Sequence, residues 1–67
     1  MIRVYVRDEE QESGALLGEF YPEDIAELAK LFDQFETVVD GCEAHFTAAQ
    51  FVTDAMGAYF EIIVSRQ

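Results

Sequence analysis

CEAHFTAAQFVTDAMG, residues 42–57, decides the fold. One reading makes residues 43–53 a single long strand. The other starts a helix in the middle. TAAQ (47–50) fits a capping box, in which Thr47 accepts from the backbone N–H of Gln50 and the Gln50 side chain reaches back. Phe46 and Phe51 occupy the two positions of a hydrophobic staple. Ala48, Phe51, Val52 and Ala55 then recur at helical spacing, with Gln50, Thr53 and Asp54 opposite. Gly57 suits the position just past a last helical turn. Cap, staple and periodicity agree, so the expectation is a helix over 48–56.

Working outward, AYFEIIV (58–64) alternates as a strand, with Phe60, Ile62 and Val64 on one face and Tyr59, Glu61 and Ile63 on the other. On the amino-terminal side, Pro22 suits a first helical turn. Glu23 and Asp24 lie where the helix dipole favours negative charge. Ile25, Leu28, Ala29, Phe32 and Phe35 keep helical spacing, which predicts a helix from about 22 to 35. Thr37-Val38-Val39 has room for a short extra strand near 37–39, and Asp40-Gly41 is a turn signal. IRVYVR (2–7) alternates as a first strand, and ALLGEFY (15–21) is its return strand. The predicted fold class is α+β, in the order ββααβ: a small, mainly antiparallel sheet with two helices on one face.

The helices are expected to cover Ile2, Val4, Val6, Phe60, Ile62 and Val64. Arg3, Tyr5, Arg7, Tyr59, Glu61 and Ile63 then form the open face. If Leu16 and Phe20 are buried, Leu17, Glu19 and Tyr21 join it, and all three tyrosines (Tyr5, Tyr21, Tyr59) share one surface. Tyrosine joins a large apolar body to a polar tip, which suits an interface. Arg3 or Arg7 is placed to pair with Glu61 or Glu19 across strands.

A chain of 67 residues is one domain. A core of that size rarely supplies more than about 3–5 kcal/mol. The single cysteine, Cys42, excludes an intramolecular disulfide, so a partner is the expected source of further stability. No apolar run approaches the length of a membrane span. The amino terminus lacks signal-peptide anatomy, so a cytoplasmic setting is expected. Fourteen acids against four bases give a net charge of −10. That balance excludes direct nucleic-acid binding and disfavours an anionic membrane; the matching partner is a basic protein surface.

No catalytic set is present. CEAH (42–45) places Cys42 three residues from His45, with Asp40 and Glu43 near, but lacks the remaining ligands of a zinc site. No phosphate-binding glycine loop occurs. The expectation is a non-enzyme with no metal and no cofactor. The carboxylates, by contrast, cluster. Asp8, Glu9, Glu10 and Glu12 fill the first loop, and Glu19, Glu23, Asp24 and Glu27 run from the return strand into the first helix. Brought together, they make one negative band able to imitate nucleic-acid phosphates. A solvated charge run serving solubility is the competing reading.

QES at 11–13, then an aliphatic strand and YPEDIAELAKLF at 21–32, resembles part of the phage uracil-DNA glycosylase inhibitor family. Proteins of that family mimic DNA. The resemblance implies that Glu12 and Ser13 meet the active-site mouth of an enzyme, and that Ile25, Leu28 and Ala29 line a pocket for one of its side chains. Small acidic single-domain chains without catalytic residues also resemble anti-CRISPR proteins. Both resemblances imply an inhibitor that occludes a basic nucleic-acid site, with a uracil-DNA glycosylase or a CRISPR effector as target. The alternative is a structural or regulatory homodimer joined through Tyr5, Tyr21, Tyr59 and Ile63.

Overall fold

The structure is a computed structural model that describes residues 1–39 and 41–66. Its elements are β1 (Ile2–Asp8), β2 (Ala15–Phe20), α1 (Pro22–Gln34), β3 (Thr37–Val39), β4 (Cys42–Asp54) and β5 (Gly57–Arg66). The order is therefore ββαβββ, with one helix, and not the expected ββααβ with two. The strands form one curled sheet in the order β2-β1-β5-β4-β3. The sheet is mixed: the central pair β1 and β5 is parallel, and the other three pairs are antiparallel.

The expected second helix, 48–56, is instead the second half of β4, the long strand that sequence reasoning rejected, and the turn that follows it. Its partners explain why. Phe46 lies level with Val64, Phe51 with Phe60 and Val52 with Tyr59. Aromatic and β-branched pairs of this kind stabilise adjacent strands. A bulge between Phe46 and Ala48 hides the strand period. Before the bulge, Ala44 and Phe46 face the helix side; after it, Ala49 and Phe51 do, opposite Ile62 and Phe60. The extra residue turns a step of two into a step of three, which reads as helical. Thr47 caps nothing: its hydroxyl donates to the His45 carbonyl at 3.4 Å. Gly57, at φ 132°, ends the two-residue turn between β4 and β5, where Met56 N–H donates to Asp54 Oδ1 at 2.8 Å. The turn expected at Asp40-Gly41 involves Asp40, which lies outside the described residues.

The core lies between the sheet and α1. Val4, Ile62 and Val64 are fully buried, and Ile25 and Ala44 join them. Ile2, Val6, Phe20, Leu28, Phe32, Val39, Phe46 and Phe60 pack around that centre. The helix-facing strand residues of β1 and β5 are those that alternation selects. α1 joins the two opposite edges of the sheet. It starts after Phe20, level with Ile2, and leads to Thr37, level with Ala44 and hence Arg66. The helix therefore crosses its face of the sheet diagonally. No helix among the described residues is long and apolar enough to cross a membrane.

Candidate functional site

The open face of the sheet is built around one arginine. Arg7 projects from β1 on the side away from α1, and its Nε meets Glu61 Oε2 at 3.0 Å. Glu61 is the buried charged residue of the described chain, with only 5% of its surface exposed. Its other oxygen accepts from Gln50 Nε2 at 2.6 Å. Arg7 also donates from Nη1 to the Gln11 carbonyl at 3.0 Å. One guanidinium thus neutralises a buried carboxylate and ties the acidic loop to the sheet.

The loop is ordered by its own backbone as well. Gln11 N–H donates to the Asp8 carbonyl at 2.9 Å, and Glu9 N–H donates to the Val64 carbonyl at 2.9 Å. Asp8 N–H donates to Gln11 Oε1 at 3.1 Å, and Glu10 N–H donates to Asp8 Oδ1 at 3.0 Å. Gly14 lies so close to β1 that a Cβ there would sit 2.5 Å from the Val6 carbonyl oxygen. The return of the chain therefore needs glycine at this position.

Beside this anchored loop lies an open recess of about 530 Å³. Arg3, Tyr5, Tyr59 and Glu61 line it from the sheet, Glu12, Ser13 and Gly14 from the loop, and Asp54 and Met56 from the β4–β5 turn. The rings of Tyr5 and Tyr59 meet edge to face, with centroids 5.3 Å apart. Arg3 Nη1 reaches the Tyr5 hydroxyl at 3.5 Å. Two exposed carboxylates, Glu12 and Asp54, thus flank an aromatic wall beside Arg3, with Glu61 already paired to Arg7, an arrangement that suits a cationic side chain with an apolar stem.

The structure separates the remaining candidates. Asp8 is bound into the fold, its carboxylate 3.4 Å from Arg66 Nε. Glu9, Glu10 and Glu12 are exposed in the loop. Glu23, Asp24 and Glu27 are exposed on α1, which starts at the other end of the β1–β2 hairpin. The six residues of β2 intervene, about 20 Å of extended chain. Loop and helix start therefore do not form the single expected band. Glu19 lies level with Arg3, towards the helix end of β2. Tyr21 stands at the helix N-cap position and does not line the recess that Tyr5 and Tyr59 share.

A bulge between Val4 and Tyr5 also alters the β2 faces: Leu16, expected in the core, lies level with Tyr5 and is 55% exposed. Ile63 is on the open face, level with Arg7 and Ala48. Of the residues singled out by resemblance, Ile25 closes the core, while Leu28 and Ala29 are half-buried on α1. Ile25 lines an apolar recess with Ile2, Pro22, Ala26, Phe51 and Phe60; Leu28 lines a different one.

Cys42 and His45 sit three apart on a strand, so their side chains take opposite faces. Among the described residues no group of three or more metal-binding side chains forms. Sequence reasoning missed Gln50, Asp54 and Met56 as parts of the open face, because it placed them on a helix. Comparison of the chain with protein-family models, with curated proteins and with solved structures finds no match.

Proposed function

We propose that this protein is a non-enzymatic acidic inhibitor that occupies a basic nucleic-acid-binding surface of an enzyme. The observation that carries the reading is the loop 9–12, held in a fixed shape by Arg7 at the rim of the tyrosine-lined recess. A solubility feature needs no such anchoring. An anchored row of carboxylates is preorganised, which lowers the entropic cost of binding. Glu9, Glu10 and Glu12 stand in for phosphates, their mutual repulsion relieved against the basic groove. Glu12 and Asp54 flank the recess, which receives a lysine or arginine side chain of the target against Tyr5 and Tyr59.

The resemblance of residues 11–13 and 21–32 to phage uracil-DNA glycosylase inhibitors supports the same class of partner. A uracil-DNA glycosylase or a CRISPR effector is the leading target, met in the cytoplasm of a host cell. The negative surface is the loop and the β4–β5 turn, without the helix start. The role of Glu23, Asp24 and Glu27 is confined to long-range steering.

The test is retention of a nucleic-acid-binding enzyme from bacterial lysate on the immobilised protein, washed at rising salt. The expected result is retention at low salt that weakens as salt rises. Replacing Glu9, Glu10 and Glu12 by Gln abolishes it while leaving the fold intact. Unchanged retention by that triple variant sinks the proposal.

A further inference from the structure

The outer side of β4 is a second feature with consequences, independent of the acidic loop. β4 is 13 residues long, but β3 covers only its first three, pairing Thr37 with Ala44, Val38 with Glu43 and Val39 with Cys42. Among the described residues no strand pairs with the outer side of 45–54. Beyond the bulge, 48–54 is an uninterrupted stretch with its inner side fully paired to β5. Protein edges of this kind are normally guarded by lysine, proline, a bulge or a covering element. The opposite edge, β2, carries a bulge within its six residues. AAQFVT (48–53) carries none of these guards and no charge, in a chain of net charge −10.

We infer that this edge pairs with the same edge of a second copy, antiparallel across a two-fold axis, joining two five-stranded sheets into one. Antiparallel pairing of a strand with itself is closed by a two-fold axis perpendicular to the sheet. The free stretch 48–54 is centred on Phe51. Pairing it over its full length places Phe51 opposite Phe51 of the second copy. Gln50 then faces Val52, and Ala49 faces Thr53.

Phe51 is 57% exposed on the helix side of the sheet, although it lines an apolar recess with Ile25 and Phe60. A facing Phe51 covers it, and aromatic cross-strand pairs are among the favourable ones. A second copy is the occupant that the charge pattern selects. Two acidic molecules repel over most of their surfaces, and 44–53 is the longest run of the chain without Asp, Glu, Lys or Arg. A dimer of this kind leaves loop 9–12, Tyr5 and Tyr59 outside the paired edge and meets the recess at Asp54.

The test is the mass in solution by sedimentation equilibrium, with amide hydrogen exchange alongside. The expected mass is twice the 7.6 kDa of the chain, and the association strengthens as salt screens the repulsion. The decoy complex has the opposite salt dependence, so the two readings fail separately. Alternate amides within 48–54, those pointing away from β5, exchange slowly in the dimer and rapidly on dilution. Phe51→Glu sets two carboxylates directly opposite and halves the mass with an unchanged far-UV spectrum. In a Cys42→Ser background, Phe51→Cys forms an intermolecular disulfide on mild oxidation. Opposed Cα atoms in such a pair lie about 4.5–5.5 Å apart, within disulfide reach. A monomer at all concentrations overturns the inference. So does a dimer that survives Phe51→Glu but is split by Tyr59→Asp.

Discussion

Arg7 shows how much one side chain decides in a domain of this size. Glu61 is enclosed by the open face, and Arg7 and Gln50 are its partners. Breaking a buried ion pair from one side leaves an unpaired charge and costs about 3–5 kcal/mol. A single core of this size supplies about 3–5 kcal/mol in all. Arg7→Ala is therefore expected to leave the chain largely unfolded, read as loss of the native far-UV spectrum. Replacing both partners removes the stranded charge as well as the pair. Arg7→Met combined with Glu61→Leu should recover most of the fold, because an apolar pair of similar volume is often neutral. The double variant also removes the Arg7 tie to the Gln11 carbonyl and leaves the loop to its backbone bonds, so recovered folding with weakened target binding is the expected outcome. A double variant as unstable as Arg7→Ala would place the role of Arg7 elsewhere.

At the scale of elements, the helix is tuned less well than its sequence suggests. α1 begins with Pro22 in its first turn and has Glu23 and Asp24 beside it. Its N-cap is Tyr21, in an extended conformation and with no side-chain hydrogen bond to the helix. Tyr21→Ser supplies the missing acceptor, worth about 1 kcal/mol. The expected result is a rise of about 4–8 °C in the thermal midpoint. An unchanged or lower midpoint would mean that the ring of Tyr21 contributes more by packing than a cap does.

The helix limits were legible because proline, first-turn acids and apolar period agree over 22–34. β1, β3 and β5 were legible from alternation and β-branched residues. β4 was not, for a physical reason: a bulge at Thr47 shifts the phase of alternation, and TAAQ happens to satisfy a cap pattern. The same bulge problem in β2 put Leu16 on the wrong face. The site suffered in proportion. The Arg7–Glu61 pair could be drawn from sequence only as one of four, Arg3 or Arg7 with Glu61 or Glu19, since clear alternation fixes the face of a residue but not its register. Gln50, Asp54 and Met56 could not, since their places depend on the register of β4 against β5.

For the whole molecule the governing quantity is charge in a small volume. A net charge of −10 is confined to a body of 33 × 25 × 17 Å. At 0.01 M salt the screening length is about 30 Å, so every carboxylate senses every other. At 0.15 M it is about 8 Å, and only neighbours interact. The compact state holds the charges closer than the unfolded chain does, so self-repulsion opposes folding. Arg7–Glu61 and Arg66–Asp8 are partly shielded from solvent and lose little to salt, whereas Lys30–Glu27 is exposed and contributes little at any salt. The thermal midpoint should therefore rise with sodium chloride between 0.01 and about 0.5 M, in the range where screening changes most. Two contributions to that rise can be told apart. Relief of self-repulsion within one molecule does not depend on protein concentration. Stabilisation through pairing of β4 edges does, because association stabilises by mass action. Measured on dilution, the concentration-independent part belongs to the monomer and the remainder to the dimer. A midpoint that falls with salt at every concentration would show that the ion pairs outweigh the repulsion, and that the acidity of this chain carries no folding cost.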